Sequence, residues 1–383
     1  MSRKRKILYI SGTRADYGLM RGVLVSIKRN PKLEVEIVAT GMHLMPEFGK
    51  TVNEIKKDGF KVHELRAIYK KDDKESMVSF IGRLISLLVV KIKRIKPDLI
   101  LVMGDRGEAL AGAIVGSYLT IPVAHIHGGD VSSTIDEIAR HAITKMSHIH
   151  FPATKKSAGR IIKMGEEKRR VFKVGAPGLD DILNEKLISD SELGKKYDLN
   201  LSKPFLIVLQ HPLTAEISKA ANQMKEIREA VKELGYQSII IYPNADAGGR
   251  QITKVIEKYR KYPFVKIHKN IPRKDYLSLL NRARVLVGNS SSGIIEAPSF
   301  KLPVVSTDSR QEGRETAGNI INVGCDKGEI KEAVKRAIFD KKFLKKLKKV
   351  KNPYGDGMTG KRISNILSKT EINNKLLQKK IAY

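Results

Sequence analysis

Two aspartates are the best placed residues for moving protons. Asp105 lies between Gly104 and Arg106, directly after an apolar run at 98–103, where a carboxylate can project from a strand end. Arg106 could pair with it or bind a phosphate. Asp136 and Arg140 are four residues apart on an expected helix over 135–146 and share a face; an ordinary surface ion pair is the plainer account of them. A second chemistry, anion binding, is written into GNSSSG at 288–293. A strand, a glycine-rich turn with hydroxyls and a helix starting near Ser292 would point free N–H groups at the turn. Ser290 and Ser291 add hydroxyl donors, with simple N-capping as the alternative. Glu296, on the first turns of that helix, could accept from ribose hydroxyls or only complement the helix dipole. At the open end of the first strand, SGTR (11–14) either holds the fold together or holds something anionic.

Other sites have weaker signals. His125, His127, His148 and His150 recur with the period of strands, His43 and His141 stand apart, and no HExxH is present, so structural or substrate-contacting roles outweigh metal ligation. The single cysteine, Cys325, excludes an intramolecular disulfide and a cysteine metal cluster. There is no Walker lysine motif. The formal charge of +31 is spread along the chain and thickest after Lys331. It is not gathered with aromatics into a nucleic-acid patch, so a specific nucleic-acid partner is not expected. The stretch 340–351 reads as a solvated amphipathic helix, with Phe343, Leu344 and Leu347 on one face. No apolar run is long enough to cross a bilayer, and the N-terminal residues lack a signal peptide's pattern. A cytoplasmic protein without a membrane partner is expected.

These residues need elements to position them. The 383 residues suffice for two domains. Strands are expected at 6–10, 33–39, 61–65, 98–103, 122–126, 148–151 and 171–174, with helices between most of them. A polar stretch at 180–203 reads as a linker or peripheral helix. Strands then resume at 205–209, 237–242, 265–268, 284–287, 304–307 and 320–323. The alternation implies α/β architecture with two doubly wound, mostly parallel sheets, whose ligands bind at the carboxyl ends of the strands. The informative residues cluster at those ends: SGTR, Gly104–Arg106, His127 and Asp130, His211, Asn244, the GNSSSG turn and Arg310, with His268 closing its strand.

GTRADYG, GDRGEAL, HIHGGDVSSTIDEIARHAITKMSHIHF, LQHPLTAE, YPNADAG, GNSSSGIIEAPSF and RQEGRETAGN follow one another over nearly the whole chain. Together they resemble the hydrolysing UDP-N-acetylglucosamine 2-epimerases of sialic acid biosynthesis. The resemblance implies the GT-B fold: Rossmann-like domains at 1–180 and 181–360 facing across a cleft, and a C-terminal helix, 361–383, packing back on the first. It implies loss of UDP from UDP-N-acetylglucosamine, removal of the C2 proton to give 2-acetamidoglucal, and water addition to yield N-acetylmannosamine. By resemblance, Arg14, Ser290 and Ser291 would hold the diphosphate, Glu296 the ribose, and Arg310 would lie near the nucleotide. His43, Asn244 and His268 complete the substrate-binding set. Asp105 and Asp136 would handle protons, His211 and Arg140 would orient the sugar, and Arg106, His127 and Asp130 complete the catalytic set. No metal or other cofactor is required, and a homodimer or dimer of dimers is implied.

Two departures stand out. Many relatives have Glu where this chain has His127, and some carry a lysine in place of Leu19. An imidazole can replace a carboxylate as proton carrier, or mark a different substrate, which leaves a GDP sugar open. The competing readings are a non-hydrolysing epimerase, which would return UDP-N-acetylmannosamine, a GT-B glycosyltransferase, and a nucleic-acid binder driven by charge.

Overall fold

The computed structural model describes residues 3–69, 73–131, 136–184, 186–213, 216–243 and 248–382. The chain divides into two compact units, one of Met1–Val131, Ile135–Leu183 and Tyr354–Tyr383, the other of Asn184–Pro353.

The first unit holds strands β1 (Arg5–Ser11), β2 (Leu33–Ala39), β3 (Lys61–Glu64), β4 (Leu99–Met103), β5 (Val123–Ile126) and β6 (Ile149–Phe151). They form one sheet in the order β3-β2-β1-β4-β5-β6, every pair parallel. The inner strands β1, β4 and β5 are covered on both faces, which is why their centres read as apolar runs. Ile7 and Tyr9 of β1 face one core with the helices Arg14–Arg29 and Thr359–Lys369, while Leu8 and Ile10 face the other with Lys74–Ile95 and Gly107–Tyr118. The second unit holds β7 (Phe205–Val208), β8 (Gln237–Ile241), β9 (Val265–His268), β10 (Val285–Val287), β11 (Val304–Ser306) and β12 (Ile320–Asn322), in the order β12-β11-β10-β7-β8-β9. This is the same winding. In each sheet the first strand lies inside, with the second on one side and the fourth on the other. The order therefore reverses between β1 and β4 and between β7 and β10, where a crevice opens at the carboxyl edge.

Three expectations change. The segment 171–174 is not a strand. It makes one bridge, Val171 to His150, and donates Phe172 N–H to His150 O (2.8 Å) and Val174 N–H to Pro152 O (3.1 Å). Pro152 has no N–H to return, so the ladder stops. The polar stretch after 180 contains two short helices, Asp180–Asn184 and Asp190–Tyr197, and it does not begin as a solvated linker. Asp180 is buried, and its carboxylate accepts the N–H groups of Thr359 (2.9 Å) and Gly360 (2.6 Å). It thereby caps the C-terminal helix Thr359–Lys369 from a distant part of the sequence. The chain also rejoins the first unit at Tyr354, ahead of the expected 361.

The last residues are tied to the same unit. Arg170, fully buried, donates to the carbonyls of Lys375 (2.9 Å) and Leu376 (2.6 Å). Lys379 reaches buried Glu166 at 2.6 Å, which also meets Lys145 and His150. Burial alone would raise the Glu166 carboxyl, but these partners hold it down at about 2. In the second unit the helix Lys341–Lys348 buries Leu347 and exposes its lysines. Among the described residues, no helix is long and apolar enough to cross a membrane.

Removing the Asp180 cap leaves two buried helix N–H groups unpaired. Asp180→Ala is expected to cost about 1–2 kcal/mol, read as a lower urea midpoint by circular dichroism, with faster amide exchange concentrated in Thr359–Lys369. An unchanged midpoint would show that the cap is not needed.

Candidate active site

Gly104 ends β4 with φ +74°, turning the chain so that Asp105 leaves the sheet edge. The helix Asp136–Met146 brings Arg140 beside it, and Arg140 is almost fully buried. One guanidinium nitrogen donates to the Asp105 carboxylate; another donates to the main-chain carbonyl of Asp130 at 2.9 Å. Arg140 thus joins the ends of β4 and β5. The Asp130 carboxylate accepts from Ser157 Oγ (2.6 Å) and meets His127 Nδ1 (3.1 Å). His127 itself has φ +62°, a left-handed conformation that costs a non-glycine residue about 1–2 kcal/mol. Strain of this kind persists only where surroundings over-determine it, and it gathers at functional sites. His125, behind it, is fully buried between Gly104 O (2.7 Å) and Thr144 Oγ1 (3.1 Å), and burial lowers its imidazole to about 3. Arg106 lies over Glu108 (Nε to Oε2, 3.4 Å). Asp136 opens the helix that carries Arg140, but its side chain, and with it the expected Asp136–Arg140 pair, lies outside the described residues.

The SGTR loop differs from expectation. Its amides are turned inward: Gly12 N–H (2.9 Å) and Thr13 N–H (3.3 Å) donate to the Asp16 carboxylate, while the Thr13 hydroxyl accepts the Asp16 N–H. This capping box starts the helix Arg14–Arg29. Burial raises the Asp16 carboxyl to about 6 against these hydrogen bonds. Arg14 projects from the first turn and pairs with Glu54 (3.0 Å). His43 does not face a ligand. It is fully buried behind the loop, with Nε2 on Ser11 Oγ and Nδ1 on Thr51 Oγ1, each at 2.8 Å. Glu108, buried beneath Gly12, was not anticipated. A Cβ on Gly12 would collide with its Oε1, so a side chain there would have to displace the Glu108 carboxylate.

In the second unit, β7 and β10 end side by side. Gly288 (φ +128°) passes so close that a Cβ would lie 2.2 Å from Leu209 O. Beyond it, Ser290 Oγ accepts Ser292 N–H (3.3 Å), and Ser291 precedes the helix Ser292–Ile295 without a side-chain cap. That helix is a single turn, because Pro298 lacks an N–H and the chain continues as a 3-10 turn, Ala297–Phe300. Little helix dipole therefore supports the GNSSSG turn. Glu296 is buried and accepts from Arg273 (2.6 Å). Arg310, in the turn after β11, donates to Asn289 O (3.3 Å), which brings it to the GNSSSG turn. The His211 main chain is bonded to the Asn289 side chain. His268 ends β9 with its ring edge on Tyr197, centroids 5.1 Å apart. Asn244 lies outside the described residues. Among the described residues, no group of three or more His, Cys, Asp or Glu is arranged to hold a metal ion.

The sequence model of the UDP-N-acetylglucosamine 2-epimerase family matches residues 25–368. The chain belongs to that family. It is thus an enzyme of nucleotide-sugar 2-epimerisation. A hydrolysing UDP-N,N'-diacetylbacillosamine 2-epimerase of Legionella pneumophila is 40% identical over 99% of this chain and 100% of its own length. A UDP-N-acetylglucosamine 2-epimerase of Neisseria meningitidis is 34% identical over 88% of this chain and 89% of its own. The fold is that of the crystal structure of Neisseria meningitidis UDP-GlcNAc 2-epimerase bound to UDP-GlcNAc (TM-score 0.83, 20% identity, 95% of this chain and 100% of that one), and the architecture is GT-B.

For this epimerase the strained His127 gives a direct test. His127→Gly should fold at least as stably as the parent, whereas His127→Val, β-branched at a left-handed position, should be less stable than the glycine variant by about 2 kcal/mol. The reverse order of thermal midpoints would remove the strain argument.

Buried imidazoles set the acid response. Burial lowers His43 and His148 to about 4 and His125 to about 3. Between pH 6.5 and those values the unfolded chain takes up protons that the native state refuses, so stability falls as pH drops. Asp16, raised to about 6, acts in the opposite sense from its ordinary 3.8 up to 6 and offsets one of the three. The urea midpoint should therefore be lower at pH 4.5 than at pH 7, and His125→Asn should flatten that slope. Circular dichroism is the suitable probe because the chain has no tryptophan.

Proposed function

We propose that this enzyme is a hydrolysing 2-epimerase acting on UDP-N,N'-diacetylbacillosamine, a sugar with acetamido groups at C2 and C4. The observation that carries the reaction type is Arg140 binding Asp105 to the Asp130 main chain, with His127 on the Asp130 carboxylate. Two proton-carrying groups are thereby held at adjacent strand ends. Full-length likeness to the Legionella enzyme supports hydrolysis and this sugar. UDP-N-acetylglucosamine is the second reading, favoured by the Neisseria relative named for it and by the order of the motifs.

In this reading the C1–O bond breaks and its electron pair leaves with the diphosphate. A base takes the C2 proton, and the C1–C2 double bond forms. Water then adds across that bond, hydroxyl to C1 and proton to the opposite face of C2, releasing the epimerised sugar. Asp105 and the His127–Asp130 pair carry the protons, Asp136 stands as a further proton carrier, and Arg140 keeps Asp105 in place. Arg106 and His211 meet the sugar or phosphate. Ser290, Ser291, Arg310 and Arg14 bind the diphosphate side, and Glu296 the ribose. We place the enzyme in the cytoplasm, as a homodimer or dimer of dimers, which light scattering tests.

The test is nucleotide release and sugar identity with UDP-N,N'-diacetylbacillosamine, UDP-N-acetylglucosamine and GDP-N-acetylglucosamine. The expected result is free UDP and free epimerised sugar, with kcat/KM about tenfold or more higher for the first substrate. Preference for the second would establish the second reading, and an epimerised sugar still joined to UDP would remove hydrolysis. Asp105→Asn should lower kcat by about a hundredfold or more with UDP binding kept.

A further inference from the structure

His211 follows β7, beyond the end of its ladder with β10. The β7–β10 ladder ends at the Val208–Val287 pair, and a last bond runs from Leu209 N–H to Val287 O (3.0 Å). Pro212 restricts residue 211 to extended conformations and offers no N–H of its own. The next partner comes from a side chain. Asn289, 1% exposed, accepts His211 N–H at Oδ1 (2.7 Å) and donates Nδ2–H to His211 O (2.8 Å). Its amide stands in for a neighbouring strand.

The amide's orientation is itself fixed. The Asp308 carboxylate accepts from Asn289 Nδ2 (2.6 Å), Gln210 Nε2 (2.9 Å) and Arg310 N–H (2.9 Å). Flipping Asn289 would set its oxygen against that carboxylate and the His211 carbonyl and its NH2 against the His211 N–H, replacing three attractive contacts with three repulsive ones. Gln210 is locked as well, since its oxygen accepts from Thr307 Oγ1 (2.9 Å). A buried chain of bonds therefore leads from the turn after β11, through the GNSSSG turn, to the main chain of one histidine.

We infer that Asn289 and Asp308 are positioning residues that fix His211 for the epimerase reaction by extending the β7–β10 ladder with a side-chain amide. This rests on the reading above, in which His211 meets the substrate. Neither residue needs to touch the sugar for this role. A main chain that swings at residue 211 moves the imidazole by an ångström or more, and misplacement on that scale costs up to about a hundredfold in rate.

The test is a double-mutant cycle on the full chain, using wild type, His211→Ala, Asn289→Ala and the double variant, with UDP affinity measured by calorimetry. We expect Asn289→Ala to lower kcat roughly ten- to hundredfold with UDP affinity kept within about threefold, and the double variant to be no slower than His211→Ala. Asp308→Ala should behave as Asn289→Ala does, with partial recovery in Asp308→Asn, whose side-chain oxygen still accepts one hydrogen bond. Independent of turnover, imidazole 1H–15N spectra of Asn289→Ala should show the His211 signals broadened or doubled and those of the other histidines unchanged. Multiplying rate losses, or an unaltered His211 signal, would overturn the proposal. A wild-type chain without turnover, or a His211→Ala variant at full rate, would instead overturn the functional reading on which it rests.

Discussion

A parallel sheet runs out of partners at its carboxyl edge. The ladder stops, yet the polar main-chain groups beyond it stay partly buried and must be satisfied. In this chain the supply comes from buried and half-buried side chains. Asp16 takes the amides of Gly12 and Thr13, Arg140 takes the carbonyl of Asp130, and Asn289 takes both polar groups of His211. Each solution also makes the adjoining loop rigid. The residues offered for chemistry sit on those loops, so the rule that completes the fold also prepares the site.

Both sheets meet this constraint at the place where strand order reverses. That is where β1 adjoins β4 and β7 adjoins β10, and at Gly288 close approach to the Leu209 main chain leaves room only for glycine. The first unit presents acids, an imidazole and arginines at its edge; the second presents hydroxyls, amides and an arginine. Backbone strain occurs at a carboxyl edge as well as elsewhere, as at Thr120 (φ +53°). His127 takes a left-handed conformation between β5 and two glycines, where Asp130 and the main chain of Phe151 secure it.

Much of this was legible in the sequence. Twelve strands lie within a residue or so of their expected positions, because buried parallel strands are short, apolar and bounded by turn residues. The thirteenth, at 171–174, looked the same but met Pro152 across the ladder, a long-range fact that local pattern does not hold. Residue type drew attention to Asp105 and Arg140, but the bond between them, and that of Arg140 to the Asp130 carbonyl, runs through the sheet and is not held in local pattern. The serines of GNSSSG drew attention for their hydroxyls, yet the best-bonded residue of that turn is Asn289, and Pro298 had already limited the helix behind it. His43 reads like a residue at a site, and Asp180 like the start of a linker, until their buried partners are known.

The central claim is elimination across C1 and C2 with cleavage of the C–O bond. It is tested most directly by turning over the nucleotide sugar in a mixture of D2O and H2 18O and analysing both products by mass spectrometry. The account predicts deuterium at C2 of the released sugar and no 18O in the UDP. A sugar without deuterium at C2, or 18O carried by the nucleotide, would mean that the enzyme breaks a different bond.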